Sequence, residues 1–132
     1  MTPERGALLA VLLMPVCGLG AAESWLTEGT NISADAHPAD GRIAVDLLGN
    51  IWIAPARGGD LRQLTYERSA ATRPRWSPDG QRILFAASSS SGTAIWQVDV
   101  QSGQQVRVSP ADSNEQQADW HPTGERIVFV AA

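Results

Sequence analysis

The sequence predicts an all-β chain assembled from repeats of a four-stranded unit, and three observations carry that expectation. Ser77-Pro78-Asp79-Gly80 has at each position a residue that a type I turn favours: Ser first, Pro preset at the second, Asp tolerated at the third and Gly at the fourth. The segment around it, from Trp76 through Arg82-Ile83-Leu84-Phe85, returns 44 positions later as Trp120-His121-Pro122-Thr123-Gly124-Glu125-Arg126-Ile127-Val128-Phe129, with six residues in register. After the first residues no window has a convincing helical period, and Gly, Pro and Ser clusters recur at strand-length intervals. Four short strands per roughly 44 residues, repeated, is the arithmetic of β-propeller blades.

The chain has 132 residues and 43% hydrophobic content, which bounds it to one modest globular domain. Residues 1–22 read as a secretory signal. Arg5 supplies a charged start, residues 7–16 are apolar, and Gly20-Ala21-Ala22 offers small residues for cleavage after Ala22. The apolar run is too short to span a bilayer. The mature chain, residues 23–132, is therefore expected in the periplasm or outside the cell. Cys17, the only cysteine, falls inside the signal, so no disulfide, thiol chemistry or cysteine metal ligand is expected after cleavage. Lipidation would use Cys17, but Met14-Pro15-Val16 lacks the small residue that such processing wants. Removal of the signal takes away Glu4 and Arg5 together, which leaves the net charge at −4. No basic run or stripe exists, which argues against nucleic acid and against anionic membrane surfaces.

Trp25-Leu26 opens a polar lead-in that ends in Asn31-Ile32-Ser33, a glycosylation acceptor pattern short enough to arise by chance. The first blade is expected over about residues 31–65. There His37-Pro38-Ala39-Asp40-Gly41 stands for the turn, with Asp40 in the left-handed slot of Gly80 and Gly124, and Arg42-Ile43-Ala44-Val45 for the second strand. That strand lies 40 positions before Arg82-Ile83-Leu84-Phe85, whereas Asn50-Ile51-Trp52-Ile53 lies 44 before Ala94-Ile95-Trp96-Gln97. A hairpin loop four residues longer, Ser88-Ser89-Ser90-Ser91-Gly92-Thr93, explains the change in the second blade, expected over about 72–109. Beyond it Gly59 falls over Gly103, Leu64 over Val108 and Thr65 over Ser109. A third blade, about 116–132, has two of its four strands, giving two and a half blades. Ile83-Leu84-Phe85-Ala86 and Ile127-Val128-Phe129-Val130 are apolar at consecutive positions, so both faces of these strands are expected to be buried.

These residues resemble the repeat of TolB-like β-propellers, in which a Trp-Ser-Pro-Asp-Gly turn precedes Arg-Ile-x-Phe, then Ile-Trp, a Gly turn and Arg-x-Leu-Thr. Here the pattern is residues 76–85, Ile95-Trp96, and, in the first blade, Gly58-Gly59 with Arg62-Gln63-Leu64-Thr65. The resemblance implies a partial TolB-like β-propeller over most of the mature chain. Ala44-Val45-Asp46-Leu47-Leu48-Gly49-Asn50-Ile51-Trp52, with Pro55 and Gly58-Gly59, is also similar to the first blade of secreted amidohydrolases that carry such a propeller ahead of a metal-dependent barrel.

No catalytic set emerges from the residues. His37 and His121, the only histidines, occupy one slot of the repeat, before the turn proline, where Ser77 stands in the middle blade. That placement predicts a capping role in separate blades rather than a shared metal or base site. Trp52, Trp76, Trp96 and Trp120 likewise fall in repeat slots, and blade packing accounts for them without a ligand. The serine cluster has no Gly-x-Ser-x-Gly elbow, the aspartates have no calcium-loop spacing, and no phosphate-binding loop is present. No catalytic, metal or cofactor residue is therefore assigned, and no cofactor is expected.

The expected function is a non-catalytic secreted or periplasmic module for protein binding or scaffolding. The alternative is the opening part of a propeller amidohydrolase whose catalytic barrel lies outside this chain, and a third reading is the propeller gate of a serine peptidase. Two and a half blades leave end faces uncovered, so a protein partner or self-association is expected.

Overall fold

The computed structural model describes residues 32–66, 70–110 and 114–131, and all regular structure among them is strand. The first sheet is β1 (Ala34–Ala36), β2 (Ile43–Leu47), β3 (Asn50–Ala54) and β4 (Arg62–Gln63), paired antiparallel in chain order. The second repeats that order with β5 (Ala70–Trp76), β6 (Arg82–Ser89), β7 (Gly92–Asp99) and β8 (Gln105–Arg107). The third pairs β9 (Glu115–Trp120) with β10 (Ile127–Ala131). The chain is an all-β array of antiparallel blades, as its repeats predict.

Turn chemistry sets the strand ends. Gly80 N–H donates to Ser77 C=O at 2.8 Å, and Gly124 N–H to His121 C=O at the same distance, the first-to-fourth bond of a type I turn. The first turn differs from expectation. Its left-handed residue is Gly41, at φ 79°, one position after Asp40, whereas Asp40 has no positive φ. The physical reason is His37: its Nδ1 accepts the N–H groups of Ala39 and Asp40 at 3.1 and 3.0 Å, so a side chain closes this turn and the glycine slot moves on by one.

The four extra residues of the second blade also do something other than form a longer loop. Ser88 pairs with Thr93 and Ser89 with Gly92, so two residues extend each strand and the turn is Ser90-Ser91. In the first blade Leu47 pairs with Asn50 across Leu48-Gly49, both at positive φ (51° and 78°), a two-residue hairpin of type I′.

The sheets stack face to face through apolar layers. Ala44, Ile51, Ile53 and Leu64 of the first sheet meet Trp76, Ile83, Phe85 and Val98 of the second. Leu84, Ala86 and Ile95, on the opposite face of the second sheet, meet Ala118, Trp120, Ile127 and Phe129 of the third. Alternation along β6 thus serves two interfaces, which is why its centre is apolar without interruption. β10 departs from the matching expectation: Ile127 and Phe129 are half-buried, but Val128 and Val130 are 65% and 61% exposed, because no described residue packs on that face.

Two hydroxyls close the sheets in equivalent places. Thr65 Oγ1 accepts Ile51 N–H at 2.9 Å and Ser109 Oγ accepts Ile95 N–H at 3.0 Å, each after a fourth strand too short to supply that acceptor.

Candidate docking surface

The tryptophans of the first strands join one blade to the one before it. Trp76, at the end of β5, sends its indole Nε1–H to the C=O of Asp35 in β1 at 3.1 Å, and its backbone N–H to Asp35 Oδ2 at 2.7 Å. The Arg42 guanidinium lies over the indole, with Cζ 5.2 Å from the ring centroid, and the His37 ring meets it edge-on at 4.6 Å. Trp120, at the end of β9, repeats this one blade later. Its Nε1–H donates to the C=O of Arg75 at 3.0 Å, and Arg82 lies over it at 4.7 Å. Arg75 and Arg82 stand 40 positions after Asp35 and Arg42. A buried indole needs an acceptor for its N–H, and the preceding blade supplies it from its backbone.

A second link is peculiar to the first interface. Asp46, buried at 5% exposure in β2, accepts Ser33 N–H through Oδ1 at 2.9 Å and Arg73 N–H through Oδ2 at 2.8 Å. Arg73 has φ 56° in a bulge between Thr72 and Arg75, followed by Pro74, so its N–H is turned out of the β5–β6 ladder. The Asp46 carboxylate is thus occupied in holding two strands.

The histidines cap turns of different sheets. His37 Nδ1 accepts two N–H groups; the nearby Asp40 carboxylate, 3.1 Å away, is held by Arg42 through its N–H at 3.0 Å and Nε–H at 2.8 Å. His121 Nδ1 accepts Thr123 N–H at 3.2 Å and lies 2.9 Å from Thr123 Oγ1. Trp52 and Trp96 sit half-buried in β3 and β7, with Trp52 Nε1–H on Leu47 C=O at 3.1 Å. Among the described residues no cluster of three or more His, Cys, Asp or Glu could hold a metal ion, and no helix is long and apolar enough to cross a membrane. The signal over 1–22, Cys17, Trp25 and Asn31 lie outside the described residues.

One buried polar group has no counterpart in the sequence reading. Glu115, the first residue of β9, is fully buried, and among the described residues neither carboxylate oxygen has a hydrogen-bond partner. The corresponding slot of β5, 44 positions earlier, holds Ala71. No local pattern distinguishes an orphaned glutamate from a solvated one, but the mismatch of Glu with Ala in an aligned buried slot was visible.

Two four-stranded antiparallel sheets and a two-stranded third, stacked and joined by first-strand tryptophans, define the class: a β-propeller blade array. The family model described as TolB beta propeller domain matches residues 23–132, and the chain belongs to that family. It is 35% identical over 57 residues to the Tol-Pal system protein TolB of Bordetella pertussis, a match covering 42% of this chain and 13% of that protein. The putative TolB from Agrobacterium tumefaciens superposes with a TM-score of 0.65 at 24% identity, over 74% of this chain and 36% of that one. TolB from Acinetobacter baumannii gives 0.63 at 24% identity, over 76% and 27%. The chain thus spans a small part of these relatives' lengths, and the two structures show a shared fold.

Proposed function

We propose that this chain is a non-catalytic propeller module, exported to the periplasm or beyond, that binds or scaffolds other proteins. The observation that carries the reading is the open face of β10. Val128 and Val130 are 65% and 61% exposed, whereas Leu84 and Ala86, which stand 44 positions earlier, are 1% and 4% exposed under the next sheet. Apolar side chains at slots that the fold elsewhere covers are an association surface. The family match and the TolB relative of the Tol-Pal system support a protein-binding role. Export rests on the signal-like residues 1–22.

The amidohydrolase alternative rests on the β2–β3 hairpin alone, and the in-frame DNA after Ala132 tests it by encoding, or not, a His-x-His metal barrel. The binding reading is tested by cross-linking the tagged chain in periplasmic extracts of its own cells. Cross-linked species are expected for the natural sequence and reduced for Val128→Asp, while a mature N-terminus at Glu23 is expected on the recovered protein. Only uncross-linked chain, in both variants, contradicts the reading.

A further inference from the structure

Among the described residues two non-glycine residues have positive φ, Leu48 at 51° and Arg73 at 56°. Left-handed backbone crowds the Cβ of an L-residue, and the first central position of a type I′ hairpin is accordingly a place for Asn, Asp or Gly. At Arg73 the strain is offset inside the fold, because the turned-out N–H reaches the buried Asp46 carboxylate at 2.8 Å. Leu48 is 68% exposed, so its branched apolar side chain gains little burial against the strain it adds. Strain that folding does not offset is a mark of an interaction site.

Two more exposed apolar residues stand at the same end of the first sheet. Ile32 precedes Ser33, whose N–H and C=O are both bonded to Asp46, and Tyr66 follows Thr65, whose hydroxyl lies on Asn50 and on the Ile51 N–H. They are 37% and 74% exposed. Beside this end the second sheet runs on for two more ladder pairs, Ser88 with Thr93 and Ser89 with Gly92, so its turn stands about 7 Å further out. The Gly49 C=O, accepting the Ala71 N–H at 2.9 Å, fastens the shorter hairpin to β5 at the foot of the taller one. Leu48 therefore sits on an apolar step with a hydroxyl-bearing wall at its side.

We infer that Leu48 anchors a docking site for an extended, uncharged apolar segment of a partner protein, with Tyr66 and Ile32 beside it and the Ser88–Thr93 hairpin as its wall. The step and its wall carry no charged side chain, which fits an uncharged occupant. Three apolar side chains fall well short of the roughly 800 Å² that each partner contributes to a stable protein interface, so the site suits a short segment rather than a second copy. Hydroxyls along the wall can bond the backbone of a chain laid against it. The step lies at the hairpin end of a blade and not on a sheet face, so sheets stacked on either face leave it open. The proposal rests on the protein-binding reading and gives it a second surface, separate from β10.

The test uses the full chain and a library of random dodecapeptides displayed on phage, the strongest binder being resynthesised with a fluorophore. The expected result is an apolar, uncharged peptide that binds saturably by fluorescence anisotropy and shifts the amide NMR signals of Leu48, Gly49, Tyr66 and Ser89. Leu48→Asn should weaken that binding about tenfold. Because Asn is favoured at a left-handed hairpin position, the same variant should unfold at higher denaturant than the parent, a split between binding and stability that a purely structural role for Leu48 would not give. No selected peptide, peptides that map elsewhere, or peptides that bind Leu48→Asn undiminished overturn the site. A lower denaturation midpoint for Leu48→Asn also overturns it, since Leu48 would then serve the fold. So does binding to phosphatidylcholine vesicles that Leu48→Asn abolishes, with no peptide selected, which would make a lipid surface the occupant. Cross-linked partners that persist in Leu48→Asn, with no peptide at this end, remove the site and leave the protein-binding reading standing.

Discussion

Trp76 and Asp35, 41 residues apart, are tied twice: indole to carbonyl at 3.1 Å and backbone N–H to carboxylate at 2.7 Å. One residue of β1 thus satisfies two donors of β5 across the blade interface. Trp76→Phe keeps most of the apolar area but leaves the Asp35 carbonyl and the Arg42 guanidinium without the indole, and should cost about 1–3 kcal/mol. Asp35→Ala should cost a similar amount, and the double variant less than the sum of the two, since both act on one contact. Urea titrations of the three variants check this; strict additivity contradicts the pairing.

Gly80 lies against His37, and a Cβ built there would collide with the imidazole Nε2. Gly103 has nearly the same φ, 74° against 69°, with nothing within 4 Å. Backbone strain of a substituted residue is therefore alike at the two sites, about 1 kcal/mol, and the difference isolates the contact. Gly80→Ala should destabilise by about 1–3 kcal/mol more than Gly103→Ala, the range for overpacking. Equal shifts in denaturation midpoint would contradict the stacking of the second turn on the first.

Glu115 is buried with two unpaired oxygens. Replacing it with Ala, the residue that β5 carries in that slot, removes a desolvation cost of about 1–3 kcal/mol and loses no hydrogen bond. Glu115→Ala should raise the melting temperature; a clear fall would mean that the carboxylate does work in the folded chain that its geometry does not show.

The turn of the second blade carries a pH signature. The Ser77 hydroxyl bonded to Asp79 and the Gln81 N–H hold the Asp79 carboxyl below its ordinary 3.8, with the Arg82 charge adding to them against some desolvation. A lowered folded value means that the contribution is complete above about pH 4 and is lost as pH falls through the folded value. Asp79→Asn should therefore lose less stability than the parent between about pH 5 and pH 2. Asp99, lowered by the Ser102 N–H and hydroxyl, retains its own share of the acid loss in both chains. Identical acid limbs would remove Asp79 from the account.

Much of this was legible because the repeat aligns unlike functions in like places. Ser77-Pro78-Asp79-Gly80 announced its turn, and the 44-residue offset placed Thr65 and Ser109, which proved to accept equivalent N–H groups. Two details escaped for local reasons. A histidine ring can close a turn as a backbone carbonyl does, which moved the left-handed residue from Asp40 to Gly41. Serines extend strands as readily as they form loops once a ladder partner such as Thr93 is present. The blade links were hidden for another reason: a contact such as Arg42 with Trp76 joins different slots of different repeats, and alignment of like with like does not show it. The threefold recurrence of the arginine, at 42, 82 and 126, was the available signal.

Sedimentation velocity of the purified chain over a concentration series tests the central claim, that the uncovered face of β10 is an association surface. The predicted result is species above monomer mass that grow with concentration, reduced to monomer by Val128→Asp combined with Val130→Asp. A compact monomer at every concentration, unfolding in one cooperative transition and indifferent to both substitutions, would contradict it.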